Sequence, residues 1–543
     1  MHSSTRLTSG AATAATALLL LCAAPLLTAQ STAERPLRNA WEVHRELTVP
    51  AAARAALPQV FPSFMDYHDL VMFHPRVGYY AIGRVDFVGH YRTYPVVLAP
   101  RFGQMVAEQL FVMWQGMRRA GTLDATERFT IAEFGAGDGA LAEAILDYLE
   151  QKGKQDASWR QFAAQVQYVC YDRSPALNRT QRERNARFGS RFDARLADAT
   201  NLTASIAPAS LKGVVLSNEL PDAFSVHKIL LSPDGAAEVA FVVASLPGAT
   251  WDAVRPLLPA AAAGAIAADD TAVERRFFEG RSEPGVYLTR ASFVTLLEHL
   301  LGTDVYETSV NALEFREAYA PASLVPEVAT HLARYAGVYA DVLARESTGF
   351  VSYINPGAER FIHGASEVLR AGYVLTIDYG GTWEEMLAQH SYPHFRTYGP
   401  VENEGSQLSP NGIDTSAPYA GPTLNDFTTD VNFSLLAAEG EAVGLRPLFY
   451  GSQRSLQAGT RVSLDDVPPE REREGNAEEF REWAKSFAEP GVYKMLLQQK
   501  AGTDAAYRYP ARNPEALGLD RSRLNAAQRR RATALEERLK ALR

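Results

Sequence analysis

The sequence predicts an α/β fold in which helices cover both faces of a mostly parallel, doubly wound sheet. Two observations support this prediction. An apolar run at 129–134 is followed by a glycine-rich turn and a helix-like run at 141–149. Further apolar runs at 166–171 and 213–216 each end in a group of polar residues. Apolar strands that alternate with helices are typical of parallel sheets, because the connection between two parallel strands usually contains a helix.

The turn after the first predicted strand contains residues that point to a cofactor. Glu133, Gly135, Gly137 and Gly139 follow the pattern acidic-x-G-x-G-x-G, which is typical of S-adenosylmethionine (SAM) sites. We predict that the three glycines let the backbone approach SAM, and that Glu133 orients the turn or the methionine amine. Through Ala140 the turn also fits G-x-G-x-x-A, so a dinucleotide remains an alternative cofactor.

An acidic residue follows each of the next two predicted strands. Asp172 ends the second strand, where a carboxylate can accept the ribose hydroxyls of a bound adenosine. Asp172 lies further along the sequence from Gly135 than the roughly 20 residues that separate the glycine turn from the acidic residue in dinucleotide sites. The alternative is that Asp172 or Ser174 only caps the next helix. Asp198, after the third predicted strand, is expected to face the adenine amine or to stabilise a plain turn.

The fourth predicted strand is followed by a cluster of polar side chains. Asn218, Glu219 and Asp222 lie within a few residues of its end, and ligands of open α/β sheets bind beyond the carboxyl ends of the strands. Carboxylates there can hold a guanidinium or accept a proton from an amine. We predict that these three residues contact the methyl acceptor, the alternative being a simple turn. Asp378 and Tyr379, after the fifth strand, are predicted to wall the same site.

Several separated blocks of the chain occur in the order of a known family. They are His74-Pro75-Arg76-Val77-Gly78-Tyr79-Tyr80, Thr93-Tyr94-Pro95, Arg101-Phe102-Gly103, Glu133 to Gly139, Asp172 to Pro175, Ser217 to His227, Ile377 to Gly380, Asp426-Phe427-Thr428 and Gly451-Ser452-Gln453. Over about residues 60–510 the chain resembles the MidA family of SAM-dependent methyltransferases, which includes the mitochondrial complex I assembly arginine methyltransferase. The resemblance implies a class I methyltransferase fold with a helical cap, SAM as cofactor, and a protein acceptor, for which arginine is the candidate residue.

The chain departs from the family's motifs at three acidic positions. His90 replaces the aspartate of a G-D-F block, Val96 replaces the glutamate of T-S-P-E, and Tyr353 replaces the glutamate of E-x-N-P. The cofactor motifs are intact. If arginine methylation depends on those acids, the chain methylates another acceptor or acts as a SAM-binding assembly factor with little catalysis. A dinucleotide-dependent oxidoreductase is the third function that the sequence leaves open.

The chain divides into six predicted segments, because an insertion interrupts the nucleotide core. This insertion begins with a strand-like stretch, continues into helical patterns, and is expected to form a lid or cap beside the site. The segments are a leader at 1–30, a helical segment at 31–125, the first half of the SAM-binding core at 126–230, the inserted cap at 231–345, the second half of the core at 346–460, and a charged linker with a C-terminal segment at 461–543.

Three predicted elements lie in the later part of the chain. Gly357 to Ala371 has the apolar spacing of a helix that Gly372 ends, which makes Tyr373 to Ile377 the fifth strand. Asp426 to Val443 is predicted to be helical. The charged stretch at 463–480 is predicted to be a linker.

Composition limits the other functions. The net charge of −9 at pH 7 argues against nonspecific binding of nucleic acid. The two cysteines are Cys22, in the leader, and Cys170, in a predicted buried strand, so the mature chain has no internal disulfide. No spacing of cysteine and histidine indicates a metal site.

Residues 1–30 resemble a secretory signal peptide. They contain Arg6, no acidic residue, an apolar run at 14–27 and a plausible cleavage point near Ala29. Export conflicts with the use of SAM, which is made inside cells, so a membrane tether and a mitochondrial or cytoplasmic location stay open. Membrane contact is expected only through this leader, because no other apolar run approaches the length of a membrane span.

Overall fold

The structure of the protein is a computed structural model. It describes residues 36–82, 93–278, 285–388, 393–399, 413–414, 418–489, 491, 493–511, 517–519 and 521–542. The predicted leader and His90 lie outside these described residues.

The described residues form strands and helices with the following bounds. The strands are β1 (Phe129–Phe134), β2 (Val166–Asp172), β3 (Phe192–Leu196), β4 (Leu211–Asn218), β5 (His227–Leu231), β6 (Ala237–Pro247), β7 (Gly285–Leu288), β8 (Glu314–Pro321), β9 (Phe350–Ile354), β10 (Leu369–Gly381), β11 (Phe395–Tyr398), β12 (Ile413–Asp414), β13 (Asp426–Thr429), β14 (Val431–Asn432), β15 (Leu445–Ser452) and β16 (Tyr493–Lys500). The helices are α1 (Ala51–Arg54), α2 (Leu57–Val60), α3 (Phe64–Phe73), α4 (Tyr94–Val97), α5 (Arg101–Arg119), α6 (Ala140–Gln155), α7 (Ala157–Gln165), α8 (Pro175–Asn185), α9 (Gly248–Val254), α10 (Ala260–Phe277), α11 (Arg290–Leu300), α12 (Tyr306–Asn311), α13 (Pro326–Arg334), α14 (Ala336–Arg345), α15 (Pro356–Val368), α16 (Phe433–Ala442), α17 (Pro469–Arg473), α18 (Ala477–Ala488) and α19 (Ala526–Lys540).

A large sheet with the strand order β15-β16-β10-β4-β1-β2-β3 forms the core. The strands β10, β4, β1, β2 and β3 pair in parallel, and β16 lies antiparallel between β10 and β15. The short strand β14 also pairs in parallel with β10. The predicted mostly parallel, doubly wound sheet is thereby confirmed. Strands β2 and β3 lie on one side of β1, and β4 lies on its other side. At such a reversal of the strand order, ligands bind in the crevice beyond the carboxyl ends of the strands, here those of β1 and β4.

Burial on both faces explains the apolar composition of the central strands. In β1 every residue except Thr130 is buried, and in β4 only the side chains of Lys212 and Asn218 are partly exposed. A parallel strand covered by helices on both sides needs apolar residues at successive positions, rather than at alternate ones. The polar residues that follow these strands therefore lie at the edge of the sheet that the carboxyl ends of the strands form.

The inserted segment, together with β5 before it and β9 after it, builds a second sheet as well as helices. Strands β7, β6, β5 and β9 lie side by side, and β8 also pairs with β6, all of them antiparallel. The sequence predicted a helical cap with one strand-like stretch, which corresponds to β6. Both connections between this sheet and the core pass the end of β4, and there Asn355 Nδ2 donates a hydrogen bond to the Pro221 carbonyl (2.8 Å). The bounds of the six segments stay a prediction.

Three later elements differ from their predictions. The segment predicted as a helix from Asp426 begins with β13 and β14, and the helix starts at Phe433, where Asn432 Oδ1 accepts a hydrogen bond from Leu435 N. The preceding residues are extended because they pair with β11 and β10. Strand β10 begins at Leu369, whereas the sequence predicted that it would begin after Gly372. The predicted linker contains α17 and the start of α18, which buries Phe480.

Two further observations concern the described residues as a whole. None of their helices is both long and apolar enough to cross a membrane. In that same part of the chain, no three histidine, cysteine, aspartate or glutamate side chains are grouped so that they could hold a metal ion.

Candidate functional site

The glycine turn between β1 and α6 has a fixed and unusual backbone path. Gly135, Gly137 and Gly139 have φ angles of +71°, +53° and +83°, which residues with a side chain rarely adopt. The carbonyls of Gly137 and Gly139 accept hydrogen bonds from Gln181 Nε2 (2.8 Å) and Asn185 Nδ2 (3.1 Å). Two buried side chains of α8 thus hold the turn in place. Because every second residue of the turn is a glycine, a ligand can approach the backbone there without meeting a side chain.

A cleft with a cavity volume of about 110 Å³ lies at the carboxyl ends of β1, β2, β3 and β4. The cleft is lined by Phe73, Tyr80, Gly135, Gly137, Tyr171, Asp172, Arg173, Ser174, Leu177, Ala197, Ala199, Glu219, Leu220, Ala223 and Phe224. Four of the predicted site residues, Gly135, Gly137, Asp172 and Glu219, therefore meet in one cleft.

Asp172 lies in this cleft, and its neighbour caps the next helix. The Ser174 hydroxyl accepts a hydrogen bond from Leu177 N (3.3 Å) at the start of α8. Asp172 Oδ1 accepts one from Ser174 N (2.8 Å). Burial raises the pKa of Asp172 to about 6. Hydrogen-bond donors of a ligand that reach this carboxyl would favour its ionised form. Its contact with the ribose stays a prediction.

Asp198 stabilises a turn beside the cleft. Its Oδ1 accepts hydrogen bonds from both the backbone nitrogen and the hydroxyl of Thr200, at 2.8 and 2.7 Å. Ala197 and Ala199 on either side line the cleft, but Asp198 does not. The turn that was the alternative reading is therefore present, and a contact with adenine stays a prediction.

Glu133 lies beneath the glycine turn and does not line the cleft. It is 2% exposed, and its carboxyl accepts a hydrogen bond from the Tyr168 hydroxyl (2.8 Å) on the neighbouring strand. The thiol of Cys170 lies 3.7 Å from the same oxygen. Burial raises the pKa of Glu133 to about 7. This arrangement fits the predicted role in orienting the turn better than a direct contact with the methionine amine.

Two aromatic rings form one wall of the cleft. Phe73 and Tyr80 stack with their ring centroids 5.5 Å apart, and the Arg173 guanidinium lies over the Phe73 ring at 4.6 Å. The Tyr80 carbonyl accepts a hydrogen bond from the Ser174 hydroxyl (3.1 Å). The Tyr80 hydroxyl donates a hydrogen bond to Asp426 Oδ1 (3.0 Å). Tyr80 therefore links the cleft to a second group of acidic side chains.

That second group consists of Glu219, Asp222, Asp378 and Asp426, here called the carboxyl cluster. Glu219 has a φ angle of +48°, and its backbone nitrogen donates to the Ile377 carbonyl (2.8 Å), which fixes the turn after β4 against β10. The backbone nitrogen of Asp222 donates to Asp378 Oδ2 (3.3 Å). Predicted site residues from the turn after β4 and from β10 are thus brought together.

Hydrogen bonds orient individual members of the carboxyl cluster. Asn218 Nδ2 donates to Glu219 Oε1 (3.2 Å). Asp222 Oδ2 accepts hydrogen bonds from the hydroxyls of Tyr379 (2.6 Å) and Thr428 (2.8 Å). Asn218 and Glu219 thus form one hydrogen-bonded pair, and hydrogen bonds link Asp222, Asp378 and Tyr379 in a second group.

Burial raises the pKa of every carboxyl in the cluster. The pKa values of Glu219 and Asp426 rise to about 8, and the nearby charge of Asp222 adds to the effect of burial in both. Those of Asp222 and Asp378 are also raised. Several negative charges cannot coexist in a small buried volume. At neutral pH the cluster therefore either retains protons or attracts a cation.

Arg396 is a cation beside the cluster, but another acid pairs with it. Its Nη2 donates to Asp430 Oδ1 (2.5 Å), and His394 Nδ1 lies 2.7 Å from Asp430 Oδ2. Although burial alone would raise the pKa of Asp430, these partners lower it to about 2. The guanidinium of Arg396 also stacks over the Tyr379 ring at 4.9 Å.

Some of these residues had no role assigned from the sequence. Tyr80, Asp426 and Thr428 belong to the blocks that resemble a family, which was the available signal. Arg396 gave no signal, since it lies in no motif. Of the altered acidic positions, Tyr353 stacks on Phe395 at 5.8 Å, away from the residues that line the cleft.

Val96, the other altered position inside the described residues, lies on the short helix α4. Its carbonyl accepts a hydrogen bond from Arg471, and it does not line the cleft. The cofactor cleft is thus built without either altered residue.

Among the solved structures that are similar to this chain are two bacterial proteins with the same fold. One is a COG1565 superfamily member from Burkholderia thailandensis bound to S-adenosyl-homocysteine, with 21% identity, a TM-score of 0.53, and coverage of 86% of this chain and 98% of that chain. The other is a native crystal structure of a protein of the same superfamily and organism, with 20% identity, a TM-score of 0.51 and the same coverage. Among curated proteins, none matches this chain.

A family model matches residues 105–451, more than half of the chain, and is described as "Putative S-adenosyl-L-methionine-dependent methyltransferase". Neither this match nor the two structures support the dinucleotide alternative. The cofactor is SAM, for which the positive φ angles of the glycine turn and the carboxyl of Asp172 in the cleft provide a suitable site. The chain belongs to this family of SAM-dependent methyltransferases.

Proposed function

We propose that the chain transfers the methyl group of SAM to a nitrogen atom of a cationic protein side chain, with arginine as the first candidate. We also propose that it is a member of the MidA family, on the strength of the ordered sequence blocks. The single observation that carries the choice of acceptor is the carboxyl cluster. Its four acids lie next to the cofactor cleft, and the described cation beside them, Arg396, is paired with Asp430.

The roles of the chain's own residues follow from their positions. Bound SAM supplies an activated methyl group on a sulfonium sulfur. Gly135 and Gly137 let the backbone approach it, and Asp172 accepts hydrogen bonds from its ribose. Glu219 lines the cleft and belongs to the carboxyl cluster, so it is the residue placed between cofactor and acceptor.

Glu219 and Asp222 hold the acceptor and remove its proton. A guanidinium gains charge-assisted hydrogen bonds from carboxylates in a fixed orientation. As the nitrogen gains the methyl group it must lose a proton, which a carboxylate accepts. Burial raises the pKa of Glu219 to about 8 in the free protein, and a cation bound beside it would lower this pKa and leave a carboxylate that can accept the proton. Positioning and exclusion of water supply the rest of the acceleration.

The test is methyl transfer from radiolabelled SAM to proteins of a cell extract. We expect label in protein, recovered as methylated arginine after hydrolysis, and about 10- to 1000-fold slower labelling with the Glu219→Gln variant. Label on another residue type would contradict the arginine assignment alone. Binding of SAM without any transfer would favour the assembly factor, which works by docking rather than by catalysis.

A further inference from the structure

Tyr80 contacts both halves of the site. Its residue lines the cofactor cleft, whereas its hydroxyl donates a hydrogen bond to Asp426 Oδ1 (3.0 Å). Asp426 is buried on β13, belongs to the carboxyl cluster and does not line the cleft. One side chain thus lies between the space for the cofactor and a carboxyl that the cofactor cleft does not include.

Several contacts fix the position of the Tyr80 ring. The Tyr80 backbone nitrogen donates to the Met72 carbonyl (3.0 Å), and the Tyr80 carbonyl accepts a hydrogen bond from the Ser174 hydroxyl (3.1 Å). The ring lies nearly parallel to that of Phe73, with an interplanar angle of 9°. The hydrogen bond to Asp426 holds the far end of the ring. Without this bond, the ring would be freer to turn about the bonds of its side chain.

The strand that carries Asp426 also contacts the other end of the carboxyl cluster. Asp426 and Thr428 are alternate residues of β13, so their side chains lie on the same face of the strand. The Thr428 hydroxyl donates to Asp222 Oδ2 (2.8 Å). Pairing with β11 fixes the strand between them. Two hydrogen bonds and one short strand therefore connect the ring in the cofactor cleft with Asp222.

We propose that Tyr80 is a positioning residue through which Asp426 strengthens binding of the cofactor, although Asp426 does not line the cofactor cleft. A ring that is already held in place spares the ligand the entropic cost of ordering a side chain. Coupling between two sites is reciprocal, so an acceptor that holds Asp426 in place would also tighten the cofactor. Only this last consequence rests on the proposed function.

The experiment is a double-mutant cycle in which calorimetry measures the affinity for S-adenosyl-homocysteine. Tyr80→Phe keeps the ring and removes the hydroxyl, and Asp426→Leu removes the oxygen that accepts from it. We expect each single variant to bind about fivefold more weakly than wild-type protein, roughly 1 kcal/mol, the typical loss from one hydrogen bond. The double variant should be no weaker, because both changes break the same bond. Independent effects would instead multiply to about 25-fold.

Two further variants separate the bond from a general loss of stability. Asp426→Asn keeps an oxygen that accepts from the Tyr80 hydroxyl, so its affinity should stay within about twofold of wild type. Tyr67→Phe removes another buried hydroxyl, one that has no hydrogen-bond partner among the described residues, and should leave the affinity unchanged. If Asp426→Leu does not fold, the contrast between Tyr80→Phe and Asp426→Asn still decides the matter.

Three results would overturn the inference. They are wild-type affinity in folded Tyr80→Phe protein, losses that multiply in the double variant, and an equal loss in Tyr67→Phe. All of these measurements concern binding and need no turnover. Failure to detect methyl transfer would therefore count against the proposed function alone, and methyl transfer by a protein without this coupling would count against the role of Tyr80 alone.

Discussion

The hydroxyl of Tyr379 donates a 2.6 Å hydrogen bond to Asp222 Oδ2 and so ties the end of β10 to the turn after β4. The two residues are far apart in sequence, but their strands are neighbours in the large sheet. Because a second hydroxyl, that of Thr428, binds the same oxygen at 2.8 Å, the carboxyl has one fixed orientation. Substitutions on β10 or in the turn after β4 should therefore alter the same site.

Replacement of Gly137 by valine should abolish binding of SAM. The residue has a φ angle of +53° and lines the cleft, so a branched side chain both strains the turn and occupies ligand space. We expect calorimetry to show an affinity at least about 100-fold weaker, roughly 2.7 kcal/mol. Gly302→Val is the control, since Gly302 also has a positive φ angle, +82°, but does not line the cleft. Wild-type affinity in folded Gly137→Val protein would contradict the assignment.

Asp172 and Asp198 should differ in their effect on the cofactor. Asp172 lines the cleft, whereas the Asp198 carboxyl is bound by Thr200 outside it. We expect Asp172→Asn to weaken SAM binding about tenfold, the loss of one charge-assisted hydrogen bond. Asp198→Asn should change the affinity less than about threefold. Equal losses in the two variants would show that the adenine end of the ligand also depends on Asp198.

Glu219→Gln should reduce turnover while leaving the cofactor in place. The change keeps the shape of the side chain and removes its charge and its basicity. For a cationic acceptor we expect turnover to fall by about 10- to 1000-fold, roughly 1.4 to 4 kcal/mol, with nearly constant SAM affinity. A parallel fall in SAM affinity would assign the residue to the cofactor or the fold. No change in either would leave the segment as a turn only.

The ligand-free protein should lose stability as the pH rises toward 8, in part because of Asp426. Burial raises the pKa of this carboxyl to about 8, so the folded state binds its proton more tightly than the unfolded chain does. Its contribution to the free energy of unfolding is thus complete below about pH 4 and is lost as the pH rises through about 8.

The test compares urea unfolding of wild-type and Asp426→Asn protein between about pH 5 and about pH 8. The variant cannot ionise at this position, so its unfolding free energy should fall less, by at least about 1 kcal/mol. Asp124→Asn, at an exposed position, is the matched control and should follow wild type. Parallel curves for all three proteins would show that Asp426 is ionised in the folded state.

Much of the core follows from local sequence patterns. The first strand ends at Phe134 as its apolar run does, and the glycines that follow it adopt the left-handed angles that their lack of a side chain permits. Polar residues at the ends of β2 and β4 lie in one cleft because parallel strands end at the same edge. Such features depend on residues close together in the chain.

The rest depends on contacts between distant segments. Asp426 to Asn432 has no local pattern that excludes a helix, and it becomes extended because β11 and β10 pair with it. The carboxyl cluster combines two separate strands, β10 and β13, with the turn after β4, so no spacing could have placed Asp426 beside Asp222. Arg396 has its role only through Asp430 and Tyr379, whose positions the fold decides.

The placement of the second sheet also bears on how relatives of this chain diverge. It joins the core at two crossings, both next to Pro221, where Asn355 Nδ2 contacts the carbonyl. Side chains of that sheet also pack in shared hydrophobic clusters with Trp383, Phe395 and Phe427. The glycine turn after β1 lies on other strands. Sequence changes in the outer loops of the second sheet should therefore leave the cofactor turn intact.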